Sequence, residues 1–197
     1  MVDVLQDPGL VAAVESALGY EFRDGGLLER ALTHSSFANE RVTSGQTQDA
    51  VDNERLEFLG DAVLQLTVSA WLFERFPKMP EGQLTQRRSA IVNAEALAKL
   101  AGQMELGSLL KIGVGEERSG GRARPSNLAD ALEALLGAVF LDGGFEAAQH
   151  VVRTVFEEHV AGLRDRPAKG PKSRLQEWTQ ARHHITPSYD LVGTTGP

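Results

Sequence analysis

Two short runs of the chain carry carboxylates at helical spacing. In Asn53–Asp61 (NERLEFLGD) the acids are Glu54, Glu57 and Asp61. A helix turns about 100° per residue, so with Glu54 at zero Glu57 falls at about −60° and Asp61 at about −20°. All three share one narrow face. Leu56, Leu59, Val63 and Leu66 fall on the opposite side, between roughly 120° and 200°. The run 127–142 (NLADALEALLGAVFLD) repeats the plan. Asp130 and Glu133 are neighbours at i and i+3, and Leu132, Leu135, Leu136 and Val139 lie opposite. A charged helix face is ordinarily a solvated surface. These acids, however, have almost no bases one turn on: those positions hold Phe58, Asp61, Gln65, Ala134 and Gly137. Small Gly60, beside Asp61, would permit close approach of another helix. Carboxylates that converge repel one another unless a cation joins them. An all-carboxylate set selects a hard divalent ion, Mg²⁺ or Mn²⁺, over Zn²⁺. A di-iron site would need Glu-x-x-His, and Gly60 and Leu136 stand at those positions. Carboxylate-held ions suit phosphodiester hydrolysis.

The remaining elements must position those two helices. Leu10, Val11, Val14 and Leu18 form a helical stripe closed by Gly19, and Leu27, Leu28, Ala31 and Leu32 form another after Gly25-Gly26. Residues 38–52 are polar and aperiodic and predict an exposed loop. The first acidic helix should extend from Asn53 to Phe76, closed by Pro77. Pro80 opens the next, which should bend near Asn93. Residues 113–127 are rich in Gly, Arg and Ser and predict a second loop. Helices over 128–141 and 145–163 should be separated by Gly143-Gly144. No segment of 1–164 alternates like a strand. Residues 165–171 (DRPAKGP) predict a linker. Lys172–Arg182 has a helical pattern, and Ser188–Val192 is a strand start followed by turn chemistry. One helix and one short strand cannot bury a core, so the second domain is read as incomplete.

Composition narrows the class. The 197 residues are 42% hydrophobic and 24% charged, which excludes wholesale disorder. There is no cysteine, hence no disulfide, thiolate metal site or cysteine nucleophile. The acidic N-terminus does not resemble a signal peptide, and the apolar stretch 62–73 is too short and too interrupted to cross a bilayer. A cytoplasmic protein with no membrane partner is expected. The net charge of −7 is uneven: residues 165–197 carry five Lys/Arg against three Asp/Glu, and the rest is strongly acidic. Holding cations is one reason for such a body.

The run NERLEFLGD resembles the signature of the ribonuclease III family, the double-stranded-RNA endonucleases. Leu32-Thr33-His34-Ser35-Ser36, Pro80-Glu81-Gly82, Leu128-Ala129-Asp130 and Glu133-Ala134-Leu135 match it too. The resemblance implies an all-α endonuclease domain over 1–164, the linker 165–171, and the opening of an α/β double-stranded-RNA-binding domain over 172–197. It implies that Glu57, Asp61, Asp130 and Glu133 are metal ligands for Mg²⁺, which Mn²⁺ can replace, with Asp61 and Glu133 catalytic. Glu54 and Glu81 would be accessory acids at the edge of the site. Phe58, which falls at about 40° and off the greasy face, would be an aromatic knob inserted into a partner subunit. Arg55, the one base inside the motif, would orient structure or contact RNA backbone.

The family resemblance further implies a homodimer whose two clusters each cut one strand of a duplex, leaving two-nucleotide 3′ overhangs and 5′-phosphate ends, in rRNA and mRNA precursors. Arg87, Arg88, Arg118, Arg122 and Arg124 are candidates for the cleft, although each could equally be a surface charge. Lys172, Arg174, Gln176 and Glu177 match a helix face that binds a minor groove, and Gly196-Pro197 the start of a loop that probes the next. His34 is expected to cap or pack, and His183 and His184 lack metal-ligand spacing. In two places the chain departs from the family pattern: the loop 38–52 is long, and Asn127 stands where the family often has an aliphatic residue. A non-catalytic RNA binder and a small-nucleotide phosphohydrolase are the competing readings. Retention of all four ligand positions opposes the first. The lack of a phosphate-binding Gly-Lys loop or of paired His/Asp motifs opposes the second.

Overall fold

The computed structural model describes residues 8–161 and 171–189. The chain divides into two units, Met1–Arg164 and Asp165–Pro197. In the first, the described elements are helical: α1 Pro8–Leu18, α2 Gly25–Ala31, α3 Ser35–Thr43, α4 Glu54–Arg75, α5 Glu81–Ile91, α6 Ala94–Gln103, α7 Leu106–Leu109, α8 Val114–Arg118 and α9 Pro125–Ala161. A 3-10 turn, Gly121–Ala123, precedes α9. The isolated bridge between Thr33 and Lys111 is the β pairing among the described residues.

The α4 and α9 helices form the centre. Leu56, Val63, Leu64, Val68, Trp71 and Leu72 of α4 are buried. In α9 the run 128–139 is buried almost throughout, with Asp130 and Glu133 half-exposed. A helix apolar on nearly all sides belongs at the middle of a bundle, and α1, α2, α4 and α6 all pack against it. By length and composition α4 could cross a membrane, but its apolar side is core and its other side carries the acids. Leu66 does not join the core: it is 58% exposed, and a helical step of about 100° turns it away from the side on which Thr67 is fully buried.

Local chemistry sets the boundaries. Asp24 accepts from the Gly26 amide and starts α2. Asn93 separates α5 from α6: its Oδ1 accepts from the Ala96 amide, and its Nδ2 donates to the Ser89 and Ala90 carbonyls. The expected bend is therefore a full stop and a new N-cap. At Gly144 the backbone takes φ 80°, ψ −173° inside α9, a conformation that costs a glycine little. The two helices expected on either side of Gly143-Gly144 thus abut across a kink. Tyr20 ties this kink to the α1–α2 turn. Its hydroxyl donates to Asp142 at 2.7 Å, and Asp142 also accepts from the Arg23 and Asp24 amides. Burial and that carboxylate push the Tyr20 phenol up to about 12.

Two expected loops are partly helical. Residues 35–43 form α3, so the loop shortens to 44–52. Its apolar content is low, but the His34 ring accepts from the Ser36 amide at its start, and the Ser36 hydroxyl accepts from the Gly113 amide. Residues 113–127 likewise contain α8, the 3-10 turn and the first turn of α9.

The second unit shows one helix, α10 Pro171–His183, followed by irregular backbone to Tyr189. Leu175 and Trp178 are exposed, and Arg182 lies over the Trp178 ring. Most of the expected strand 188–192 and of the expected linker 165–171, and Gly196-Pro197, fall outside the described residues, while Pro171 opens α10.

Candidate active site

The site begins with a close helix crossing. A methyl group added to Gly60 would overlap the Glu133 carbonyl, and one added to Gly137 would overlap the Leu56 carbonyl. Each helix therefore presents a glycine to the other's backbone. Because Glu57 lies one turn before Gly60, and Glu133 one turn before Gly137, the crossing places the two acidic flanks side by side.

At that junction carboxylate oxygens of Glu57, Asp130 and Glu133 all lie within 4.8 Å of one another. The three side chains are half-buried. None forms an ion pair with a Lys or Arg among the described residues. Burial is the main influence on all three. It raises Glu133 to about 7, with the charges of Asp61, Glu57 and Asp130 adding to it. It raises Glu57, helped by Asp130, Glu54 and Asp61. It also raises Asp130, against a smaller opposing pull from His34.

Asp61 borders this group without joining it. It is exposed, its Oδ1 accepts from the Gln65 amide at 3.3 Å, and its charge reaches Glu57 and Glu133. Glu54 is exposed in the first turn of α4 and close enough to raise Glu57. Glu81 stands elsewhere. It opens α5, accepts from the Thr85 hydroxyl at 2.8 Å, and lines a hollow with Ser69 and Phe73. Ser69 is about 18 Å along α4 from Glu57. Phe58 is 81% exposed on the outer flank of α4, and Leu66 and Phe73 are exposed farther along the same helix.

Several basic candidates prove to be structural. The Arg122 guanidinium donates to the carbonyls of Gly107, Ser108 and Leu110 and pairs with Glu117. Arg124 pairs with Glu116. Asn127, 5% exposed, donates to Glu116 and to the Gly121 carbonyl, forming a polar brace at the start of α9. Arg87 is buried with its guanidinium over the Phe76 ring, and Arg88 donates to the Ser69 hydroxyl. Arg118 and Arg55 are exposed. In α10, Gln176 is exposed, and the side chains of Lys172, Arg174 and Glu177 lie outside the described residues. Sequence reasoning missed the proximity of His34 to Asp130; its place one residue after the Thr33–Lys111 bridge held no signal of that.

The donor set fits a divalent cation. Three half-buried carboxylates facing one another with no base between them are stable as anions only beside positive charge, and oxygen-only ligands suit a hard ion.

Comparison with known proteins agrees with this geometry. The Ribonuclease-III-like family matches residues 24–159. Ribonuclease 3 of Thiobacillus denitrificans is 50% identical over 95% of this chain and 78% of the relative. Ribonuclease 3 of Magnetococcus marinus is 46% identical over 98% of this chain and 78% of its own length. The nuclease domain of ribonuclease III from Campylobacter jejuni superposes with a TM-score of 0.66 at 44% identity, over 75% of this chain and 94% of that one. Another structure of that domain concerns flexibility in its region of dimer formation. With a half-buried acid cluster at a glycine-mediated helix crossing and this similarity over most of its length, the chain belongs to the ribonuclease III family of endoribonucleases.

Proposed function

We propose that this endoribonuclease hydrolyses phosphodiester bonds in double-stranded RNA with Mg²⁺ as its cofactor, Mn²⁺ serving in its place. The observation that carries the reading is the convergence of Glu57, Asp130 and Glu133 within 4.8 Å. These three residues would hold the ion, with Asp61 as a fourth ligand at the exposed edge. Bound there, the ion supplies an activated water and stabilises charge on the reacting phosphate.

The chain's own residues prepare that chemistry. Gly60 and Gly137 fix the spacing of the two acid pairs. Glu133, raised to about 7, is partly protonated at neutral pH without a cation, so ion binding must displace its proton. Burial of the cluster lowers the local dielectric and strengthens whatever charge interaction forms there. Gln65 steadies Asp61 from the solvent side, and Glu54 adds negative charge at the rim.

The reading extends to a homodimer. Phe58, Leu66 and Phe73 are large apolar side chains exposed on α4, and a two-fold interface would bury the same flank on both subunits. Phe58 would be the knob. Glu81, remote from the cluster of its own protomer, would reach an active centre only across that interface. Each protomer would cut one strand, leaving two-nucleotide 3′ overhangs and 5′-phosphate ends. Precursors of rRNA and mRNA in the cytoplasm are the proposed substrates, with no membrane partner. Residues 172–197 would begin a double-stranded-RNA-binding domain, with Lys172, Arg174, Gln176 and Glu177 on its groove-facing helix.

The test is incubation of the protein with an end-labelled RNA duplex in Mg²⁺ and in EDTA. Cutting in Mg²⁺ alone is expected. Binding without cutting under either condition would overturn the assignment in favour of a non-catalytic binder.

A further inference from the structure

A second feature lies against Thr33. A cavity of about 230 Å³ opens between α2, α3 and the loop 44–52. It is smaller than the roughly 300–1,000 Å³ clefts that take drug-sized ligands. Arg30 and Arg41 both line it. Neither guanidinium forms an ion pair among the described residues. The Arg30 Nε donates to the Asp52 carbonyl at 2.9 Å, which anchors the end of the loop and leaves its terminal nitrogens without a protein acceptor there. Arg41 lies 5.9 Å from the centre of the Phe37 ring. In a chain with 20 Lys/Arg against 27 Asp/Glu, two guanidinium groups with no ion pair among the described residues share one hollow.

The other lining groups narrow the ligand. Glu29 is occupied by Lys111 at 2.6 Å, so it does not neutralise the pair. Asp49, from the loop, adds a carboxylate, while the Thr47 hydroxyl is used within the loop, donating to the Asp49 carbonyl at 3.2 Å. A simple anion would gain nothing from Asp49. A ribose phosphate would: guanidinium groups hold the phosphate, and a carboxylate accepts from a ribose hydroxyl, which RNA has and DNA lacks at the 2′ position.

The cavity is joined through the backbone to the start of the helix that carries Glu54 and Glu57. Thr33 lines the cavity, and the Thr33 carbonyl accepts from the amide of Asn53, the residue that opens α4 just ahead of Glu54 and Glu57.

We propose that this cavity is a ribose-phosphate subsite that grips the RNA strand beside the cut site, with Arg41 and Arg30 on the phosphate and Asp49 on the sugar. It rests on the double-stranded-RNA reading above. The test measures duplex binding in EDTA over a range of salt concentrations, and Mg²⁺-dependent cutting, for the wild-type chain and for Arg41→Gln, Arg41→Lys and Arg30→Gln. Loss of one phosphate contact should lower the slope of log affinity against log salt by roughly one. Arg41→Gln is expected to show that drop, with weaker binding but cutting restored at saturating duplex, while Arg41→Lys keeps the slope. Unchanged slope and affinity in both Gln variants, with a wild type that binds and cuts, would overturn the subsite alone. A wild type that neither binds nor cuts the duplex would overturn the function on which it rests. A 5′-nucleoside monophosphate that binds wild type but not Arg41→Gln, with the duplex slope unmoved, would assign the cavity to free nucleotides and overturn the RNA-strand assignment.

Discussion

Polar and charged side chains gather in two regions of this molecule, and they are treated in opposite ways. Around residues 107–127, Arg122 is met by three backbone carbonyls and Glu117, Arg124 by Glu116, and Asn127 by Glu116 and the Gly121 carbonyl. At the α4–α9 crossing, Glu57, Asp130 and Glu133 face one another with no Lys or Arg among the described residues to pair with them. The first region satisfies its own charge and is architecture. The second is left unsatisfied by the protein and needs something from outside. Local violations of this kind are tolerated where function requires them.

The largest expected effect probes the unsatisfied side. Glu133→Gln should reduce cleavage by about 10²–10³-fold or more while duplex binding in EDTA persists. Equal loss of both, in an electrophoretic binding assay run beside the cleavage assay, would mean that Glu133 serves folding. Gly60→Ala comes next. Its methyl group overlaps the Glu133 carbonyl, so the helices must separate, costing about 1–3 kcal/mol and loosening the cluster; urea denaturation and metal affinity should fall together. If stability fell with metal affinity intact, the crossing would not set the cluster.

The satisfied side should respond differently. Asn127→Ala leaves Glu116 and the Gly121 carbonyl each short of a buried partner, at about 1–3 kcal/mol of stability. Its metal titration, read by calorimetry at a temperature where the variant stays folded, should match the wild type. A large shift in metal affinity would blur the distinction between the two regions.

The smallest effect concerns pH. Glu133 titrates at about 7 in the folded chain against an ordinary 4.5. The folded state therefore binds that proton more tightly than the unfolded chain does. The resulting stability is complete below about pH 4.5 and is lost as the pH rises through about 7. Glu57 and Asp130 are raised as well and act in the same direction. Without metal, Glu133→Gln should melt above the wild type at about pH 8, and the gap should narrow as the pH falls and close below about pH 4.5. A gap independent of pH would mean that the cluster does not hold Glu133 in its protonated form.

The acids were legible because helical periodicity is local. Glu57 with Asp61, and Asp130 with Glu133, follow from spacing within one turn, and Gly60 marked a close approach. The basic residues were not legible. Arg122 meets Leu110, and Arg124 meets Glu116, only because the chain folds back through the 3-10 turn. The short α3 was missed for the same reason. Its few apolar residues carry little periodicity, and Ser36 finds its partner at Gly113, 77 positions away.

The sequence by itself determined which residues could be ligands and which helix faces they occupy, since both depend on covalent order and a fixed helical repeat. Only the tertiary structure decided that three of the four carboxylates converge, that Asp61 stays at the rim, that Leu66 faces outward and that Glu81 stands apart. Those outcomes depend on how closely two helices pack and what covers each flank, and such contacts join residues that the chain order leaves far apart.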